Sequence, residues 1–378
     1  MNKSAPGRDL YIDRLRSAMT ALVILHHTAI VYGGAGGWFW REQEVSAAPS
    51  SVLLTLFCAT NQAYFMGFFF LLAGYFTPRS LERKGYAAFL WDRFLRLGLP
   101  LLGFIFILGP VTAGIVEACT GGHFWPTIVW LWQHKRVING PLWFAQALLI
   151  FSLFYCVWRR LAGMPISDAT RDTRPVPAFR SWQLAAFAVG AGAVALRQIV
   201  PVGENVFGLQ IAYFSSYIFL FALGIAAWRH DWLRQLTWAK SRAWVWIALL
   251  VWPAMPVSIL IAGKANGSGH ANFSGGFSWP TLLYALWEPF VAWGVMAALL
   301  LLFRARMNQP SRLWEWIGRR AYAVYILHPP VLVSCSLALH GWNAPPLVKF
   351  AVCGSAAVVT TWLASDPFVR MPGLRRIL

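Results

Sequence analysis

Charged side chains are scarce in this sequence, and acidic ones are the scarcest. Asp, Glu, Lys and Arg together make up only 12% of the 378 residues, whereas 58% are hydrophobic and 16% are aromatic. A water-soluble domain normally carries about 25% charged residues, because a surface that faces water must be largely polar. The composition therefore excludes an ordinary soluble protein and predicts a polytopic protein embedded in a lipid bilayer.

The shortage of acidic residues leaves a strong positive charge. There are 14 acidic and 32 basic residues, and the formal net charge is +18. Nucleic-acid-binding proteins are also basic, but they place their basic side chains together on one accessible face. Here the basic residues form short clusters between apolar runs, so we expect no nucleic acid partner and interpret the clusters as topology signals.

Several kinds of site and domain are missing from the sequence. The five cysteines show neither CxxC spacing nor pairing in loops, so we predict no disulfide bond and no metal centre. The absence of a Gly-x-Ser-x-Gly motif argues against a serine acyl-enzyme of the hydrolase type. We find no internal repeat, and the polar segment 159–180 is typical of a flexible loop. We therefore expect a single domain over residues 1–378, with no fused soluble domain.

Long apolar runs dominate the rest of the chain. Ten of them approach the roughly 20 residues that a membrane-spanning helix requires. If the N-terminus is cytoplasmic, all but six of the 32 basic residues fall in cytoplasmic segments, as expected of a correctly oriented bundle. The sequence thus predicts an all-α integral membrane bundle of about ten transmembrane helices with both termini in the cytoplasm. The predicted spans are 17–34, 51–77, 97–118, 141–158, 182–201, 206–228, 243–263, 281–303, 321–340 and 346–365.

The first apolar run carries ionisable side chains. Eleven positions separate Arg16 from His27, so on a helix both lie on one stripe, about 16 Å apart along the axis, and His26 points elsewhere. Ionisable groups at membrane depth are unfavourable unless they face protein or water. Arg16 and His27 are therefore predicted to belong to a functional site.

Five further ionisable residues suggest roles, and four of them admit two readings. Arg93 and Arg96, three residues apart, project from one face of a helix and suit bidentate phosphate contacts, although arginines beside a span are more often topology signals. His328 precedes two prolines, which leave backbone carbonyls unpaired, so we expect the helix to be kinked or broken there. Arg197 and Glu288 either form a structural ion pair or line a polar cavity.

Small and aromatic residues also suggest roles. Gly74 lies within an apolar helix, where glycine most often permits close helix packing. Three tryptophans between residues 119 and 140 are most simply interfacial anchors, and the alternative is a surface on which sugar rings stack. These tryptophans are Trp125, Trp130 and Trp132.

Five motifs in this order resemble those of the membrane acyltransferase 3 family, from Asp13 to the C-terminal Pro372. Within the family, the Phe-Phe-x-x-x-x-Gly-Tyr-Phe wording and the absence of a fused esterase domain look most like the glucan biosynthesis protein C branch, which is associated with succinylation of periplasmic glucans. Many members have Asp-Gly-Leu-Arg where this chain has Asp13-Arg14-Leu15-Arg16. The motifs are Arg16 with His27, Phe68-Phe69-Phe70-Leu71-Leu72-Ala73-Gly74-Tyr75, Arg93-x-x-Arg96, Leu142-Trp143-Phe144 and Tyr325-x-x-His328-Pro329.

The resemblance implies O-acyl transfer from cytoplasmic acyl-CoA to a hydroxyl of a periplasmic or envelope glycan, in a bacterial inner membrane. Under this hypothesis Arg93 and Arg96 hold the CoA phosphates, and Arg16 steadies the donor. His27 takes the proton of the attacking hydroxyl, and His328 orients His27 or the acceptor. Acyl-CoA is then a donor substrate, and no tightly bound cofactor is expected.

Two other functional classes remain open. A transporter or flippase for an envelope precursor would also need intramembrane charge and a broken helix, although such proteins often contain internal repeats with paired broken helices. A non-catalytic partner in envelope assembly would not depend on His27. Acyl transfer by the purified protein would exclude both alternatives.

Overall fold

The protein is a bundle of long helices. The computed structural model describes residues 9–164, 172–265, 273–374 and 377. Among these residues, extended pairing is limited to two isolated β-bridges, so the predicted all-α class is confirmed. Helices suit this chain because a helix satisfies its own backbone groups within a hydrocarbon layer. The described helical segments are α1 (Leu10–Val31), α2 (Pro49–Lys84), α3 (Tyr86–Cys119), α4 (Phe124–Gln133), α5 (Trp143–Leu161), α6 (Phe179–Ile199), α7 (Phe214–Arg229), α8 (Trp232–Gln235), α9 (Trp238–Val251), α10 (Ala254–Ala265), α11 (Trp279–Arg306), α12 (Arg312–Ala338) and α13 (Pro346–Arg370).

Among the described residues, nine helical stretches are long and apolar enough to cross a membrane; one of them, Trp238–Ile261, joins α9 to most of α10, and another, Ile211–Arg229, adds a short turn before α7. They coincide with nine of the ten predicted spans, which confirms a multi-pass membrane bundle. The remaining predicted span, 17–34, falls largely on α1, whose 22 residues extend for about 33 Å but which is less apolar. Since α1 packs against α2, α11, α12 and α13, most of its polar side chains are buried against protein. The total of ten spans stays a prediction.

The closest helix crossing joins α2 to α7 through two glycines. A Cβ atom added at Gly74 would lie 2.1 Å from the carbonyl oxygen of Phe221, and one added at Gly224 would lie 2.1 Å from that of Leu71. No residue larger than glycine permits this approach, which gives the two helices a long van der Waals contact. The interpretation of Gly74 as a packing residue is confirmed.

The two ends of the bundle differ in their side chains. We call the end that carries Arg14, Arg16, Arg93 and Arg96 the arginine face, and the end formed by segments 32–48, 120–142 and 200–210 the loop face. Arg14 is buried and donates to the carbonyl oxygens of Met307, at 2.6 Å, and of residue 309. It thereby attaches the start of α1 to the connection between α11 and α12.

Candidate active site

A cavity of about 830 Å³ borders the loop face and extends into the bundle. Segments 35–47, 202–210 and 273–274 surround its outer part, and His26 and His27 border its inner part. Within the described lining no side chain is Asp, Glu, Lys or Arg. Its volume lies in the range of small-molecule sites, about 300–1,000 Å³. The polar lining consists of amides, hydroxyls and imidazoles, including Gln62, Asn139, Asn205, Gln210, Tyr213 and Tyr284.

His27 belongs to a cluster of three aromatic rings. Its ring centroid lies 3.9 Å from that of Trp38 and 5.5 Å from that of His328, and both rings are nearly parallel to it. Trp38 and His328 are themselves 5.8 Å apart. The Nδ1 atom of His27 is buried and has no hydrogen-bond partner. The structure therefore brings together two predicted site residues, His27 and His328, from opposite ends of the chain.

His328 is fully buried, and its orientation depends on a proline. Its Nδ1 atom lies 2.7 Å from the carbonyl oxygen of Tyr325. In a regular helix that oxygen would accept a hydrogen bond from the backbone N–H of residue 329, but residue 329 is a proline and has no N–H. The imidazole supplies the missing donor, and α12 continues without a break to Ala338. Of the two predicted outcomes at His328, a break is wrong, because a side chain replaces the backbone bond that the proline removes, and a kink stays a prediction.

Trp38 is a site residue that the sequence analysis missed. It lies in the loop 32–48, which returns over the end of α1 and is held by Arg41, whose guanidinium donates to the carbonyl oxygens of Gly34, at 3.1 Å, and Gly36. Gly33 and Gly36 have φ angles of 108° and 141°, which residues with a Cβ atom rarely adopt. The path of this loop back over α1 therefore requires glycine at both positions. The glycine-rich run 33–37 directly before a tryptophan was the available sequence signal.

His26 also borders the cavity, contrary to the expectation that it points elsewhere. Its ring is 4.8 Å from that of Phe65 and meets the ring of His27 edge-on at 5.5 Å. The cavity is wide enough for two consecutive residues of α1, His26 and His27, to line it. His26 is therefore part of the cavity wall.

Arg16 lies at the arginine face, away from His27. Its half-exposed side chain is 3.9 Å from the carboxylate of Asp13, and it is close enough to Arg93 for the two charges to interact. The helical rise places it about 16 Å from His27 along the axis. The predicted spacing is present, but it places Arg16 at the arginine face and His27 at the cavity. Arg16 therefore lies near Arg93 and not near His27.

Arg93 and Arg96 do not share one environment, although their spacing predicted a common face. Arg93 is half buried, with one nitrogen 3.5 Å from the hydroxyl of Thr77 on α2 and a buried Nε without a partner. Arg96 is exposed and lies 3.3 Å from the carboxylate of Asp92. The cause is a π-helical stretch, Phe94–Gly98, whose wider turn rotates Arg96 away from the inward side.

The arginine face also contains an acidic residue that the sequence analysis passed over. Asp92 contacts both Lys84, at 2.7 Å, and Arg96, at 3.3 Å. With Arg16 and Arg93, the group holds four cations against the carboxylates of Asp92 and Asp13. An electropositive surface remains for an anionic ligand.

Two tyrosines connect the arginine face with the histidines along one side of α12. The hydroxyl of Tyr322 donates to the carbonyl oxygen of Arg96, and that of Tyr325 donates to the carbonyl oxygen of Pro141. The two tyrosine rings are 6.4 Å apart, and the ring of Tyr325 is 5.9 Å from that of His328. A spacing of three residues keeps all three rings on one side of the helix.

Arg197 and Glu288 form an ion pair in the protein interior. The Arg197 guanidinium also lies over the rings of Tyr213 and Tyr284, at 5.4 and 4.6 Å from their centroids. Both tyrosines border the cavity, whereas the two charged residues do not. Of the two predicted alternatives, the structure shows the ion pair, placed directly behind the cavity wall.

The tryptophans of the segment 119–140 lie outside the cavity. Trp125, Trp130 and Trp132 are exposed by 68%, 47% and 52%, and none of them lines it. Exposed indoles near one end of a membrane bundle are typical of interfacial anchors. The structure favours that reading over a sugar-binding surface.

The sequence matches a known family over nearly its whole length. The profile of a family described as an acyltransferase domain, acyltransferase 3, matches residues 9–366. The chain is 25% identical over 346 residues to glucans biosynthesis protein C of Escherichia coli (strain K12), covering 88% of this chain and 84% of that protein. It is 24% identical, with the same coverage, to the protein of that name in Escherichia coli O1:K1 / APEC. No solved structure matches the chain.

Proposed function

Since this chain belongs to the membrane acyltransferase 3 family, we propose that it moves an acyl group from cytoplasmic acyl-CoA to a hydroxyl of a periplasmic or envelope glycan. The acyltransferase activity follows from the family. The donor, the acceptor and the bacterial inner membrane are the proposal. The observation that carries it is the uncharged cavity that borders the loop face and has His27 in its inner part.

The cavity lining supports a neutral glycan as the acceptor. Gln62 donates its amide to the Tyr217 hydroxyl at 3.0 Å and keeps a carbonyl oxygen for a ligand, and the Gln210 amide also borders the cavity. Trp143 adds an aromatic ring of the kind on which sugars stack. A charged acceptor would lose its hydration there without gaining a counter-charge. The relative's name, which refers to glucans, agrees with a neutral sugar.

The arginine face supports acyl-CoA as the donor. Arg16, Arg93 and Arg96 lie there with Lys84, and guanidinium groups bind phosphate oxygens through paired charge-assisted hydrogen bonds. The basic-residue distribution favours a cytoplasmic arginine face. Under this proposal CoA binds there, and its acyl end extends beside α12 towards His27.

The proposed reaction is a direct acyl transfer. The acceptor oxygen attacks the thioester carbonyl carbon while its proton passes to His27, and a C–O bond forms. Collapse of the tetrahedral intermediate breaks the C–S bond, and the leaving CoA thiolate recovers the proton from His27. The products are an ester of the glycan and free CoA.

The unbroken α12 removes one of the features that a transporter would share with this sequence. A broken helix at His328 was expected, and the helix is continuous there. The family match supports an acyltransferase over a non-catalytic partner in envelope assembly.

The test is acyl transfer by the purified protein. We would supply acetyl-CoA or succinyl-CoA with a neutral gluco-oligosaccharide to protein in nanodiscs, and detect the acylated sugar by mass spectrometry. Glycans from strains with and without the protein would be compared in parallel, and we expect a mass difference of one acyl group. Identical glycan spectra together with no acylated sugar in vitro would refute the proposed function.

A further inference from the structure

Two prolines follow His328, and they affect different carbonyl groups. In an α-helix the N–H of residue 329 would bond the carbonyl of Tyr325, and that of residue 330 would bond the carbonyl of Ile326. Both N–H groups are missing because residues 329 and 330 are prolines. The carbonyl oxygen of Tyr325 instead accepts a hydrogen bond from Nδ1 of His328, at a distance of 2.7 Å. Of the two prolines, only Pro329 leaves unpaired the carbonyl oxygen to which His328 donates.

This contact determines which nitrogen of His328 carries the proton. A carbonyl oxygen can only accept, so Nδ1 must be the donor, and the lone pair of the neutral ring lies on Nε2. That Nε2 is buried and has no hydrogen-bond partner. A buried acceptor without a donor is unfavourable, so a donor is expected to reach it.

His27 carries a complementary unpaired atom, as does Trp38 at its indole Nε1. Nδ1 of His27 is also buried without a partner, and the rings of His27 and His328 are 5.5 Å apart and within 14° of parallel. The two rings share no direct hydrogen bond, so a proton on Nδ1 of His27 satisfies Nε2 of His328 through one bridging water. The lone pair of His27 is then on Nε2, the nitrogen left to serve the cavity that this residue lines.

We propose that Pro329 and His328 together fix the tautomer of His27. The carbonyl of Tyr325 accepts a hydrogen bond from Nδ1 of His328, and Nε2 of His328 accepts the hydrogen bond of Nδ1 of His27 through a bridging water. His328 is thus a positioning residue. Pro329 has no N–H, so the carbonyl of Tyr325 stays available to His328. The catalytic consequence rests on the proposed function: Nε2 of His27 takes the acceptor's proton, and His328 stabilises the resulting imidazolium through the Nδ1–H bond.

The tautomers can be measured without any activity assay. Protein containing ¹⁵N-labelled histidine would be placed in nanodiscs, and the ring ¹⁵N shifts at neutral pH show which nitrogen is protonated. The signals are assigned with His27→Gln and His328→Gln. We expect protons on Nδ1 of both rings. A proton on Nε2 of His328 would overturn the proposal.

A matched pair of proline variants isolates the role of Pro329. Pro329→Ala restores an N–H that competes for the carbonyl of Tyr325, whereas Pro330→Ala restores one only to the carbonyl of Ile326. Both replacements favour the helix, so folding is expected to be retained. We expect Pro329→Ala alone to change the tautomers and to lower kcat by about 10- to 100-fold, the usual range when a partner that orients a functional group is lost. KM for the donor should not change.

Two variants of His328 separate positioning from packing. His328→Gln keeps one donor and one acceptor, and His328→Leu keeps neither, so we expect substantial activity only in the first. If both proline variants match the wild type in spectra and rate while acyl transfer is normal, the proposal is wrong and the proposed function stands. If no acyl transfer occurs but only Pro329→Ala changes the tautomers, the function is wrong and the tautomer proposal stands.

Discussion

At the residue scale, His27 is the group whose replacement tests the chemistry most directly. We expect His27→Ala and His27→Gln to lose about 100- to 10,000-fold in rate, because loss of a general base has effects of that size. Glutamine keeps hydrogen bonding but cannot take up a proton at neutral pH, so it should be nearly as inactive as alanine. The measurement is the rate of formation of acylated oligosaccharide by protein that still inserts into the membrane.

The control for His27 has to lie outside the cavity. His26 is unsuitable because it borders the cavity and packs against Phe65. His123 is exposed and does not line the cavity, so His123→Ala should be fully active. Near-normal turnover of His27→Gln would show that His27 is structural and would direct the search for a base to His328.

The arginine face is tested by charge reversal. We expect Arg93→Glu combined with Arg96→Glu to raise the KM for acyl-CoA by at least about tenfold, since charge-assisted hydrogen bonds to phosphate are lost. Arg93→Glu alone should have the larger effect, because Arg96 is partly neutralised by Asp92 whereas the buried Nε of Arg93 has no partner. The KM for the glycan should change little.

Arg160 provides the matched control for this charge reversal. It is exposed at the end of α5, which is also at the arginine end of the bundle. Arg160→Glu should leave the donor KM unchanged. If the double variant inserts correctly and also keeps a normal donor KM, Arg93 and Arg96 are topology signals only.

At the scale of elements, the α2–α7 crossing is sensitive to a single methyl group. Gly74→Ala should destabilise the protein by about 1–3 kcal/mol, because its Cβ meets a backbone oxygen that cannot rotate away. Gly103→Ala is the control, since nothing lies within 4 Å of its Cβ. Thermal unfolding in detergent measures both variants, and equal midpoints would show that α2 and α7 separate without penalty.

The buried ion pair behind the cavity wall should respond differently to single and double replacement. Arg197→Met or Glu288→Leu alone leaves one buried charge without its partner and should reduce stability by about 3–5 kcal/mol. The double variant removes both charges and should unfold near the wild-type temperature. If the double variant is as unstable as the single ones, the charges hold Tyr213 and Tyr284 in a way that apolar side chains cannot replace.

At the scale of the whole molecule, the proposed function requires a fixed topology. We expect ten spans, with both termini cytoplasmic and the loop face periplasmic. Reporter fusions at residues 205 and 270 should report the periplasm, and a fusion at residue 308 should report the cytoplasm. A cytoplasmic signal at residue 270 would contradict this orientation. Because α1 is the least apolar of the predicted spans, a fusion within 32–48 is the most informative of the set.

Within the part of the chain that the structure describes, three of the six basic residues that depart from the charge asymmetry form hydrogen bonds or ion pairs. Arg41 holds the loop that carries Trp38, and Arg197 pairs with Glu288. Lys349 pairs with Glu42. A basic residue that pairs with another protein group contributes to folding. Its position near the loop face therefore does not contradict the topology signal, which is carried by basic residues in the connecting loops.

The sequence by itself determined the class of the molecule, the positions of the nine candidate spanning helices among its described residues, and its family. A bilayer imposes length and apolarity on each spanning segment separately, and these properties can be read along the chain. For the same reason the spacing of Arg16 and His27 on α1 was predictable. Helical geometry within one segment needs no knowledge of its neighbours.

Only the tertiary structure decided how the candidate site is assembled. Trp38, His27 and His328 meet from three segments, and Arg16 groups with Arg93, because packing between helices sets these contacts and local periodicity does not. Two local expectations failed for related reasons. A π-helical turn separated Arg93 from Arg96, and the ring of His328 supplied the donor that Pro329 lacks, so the helix did not break.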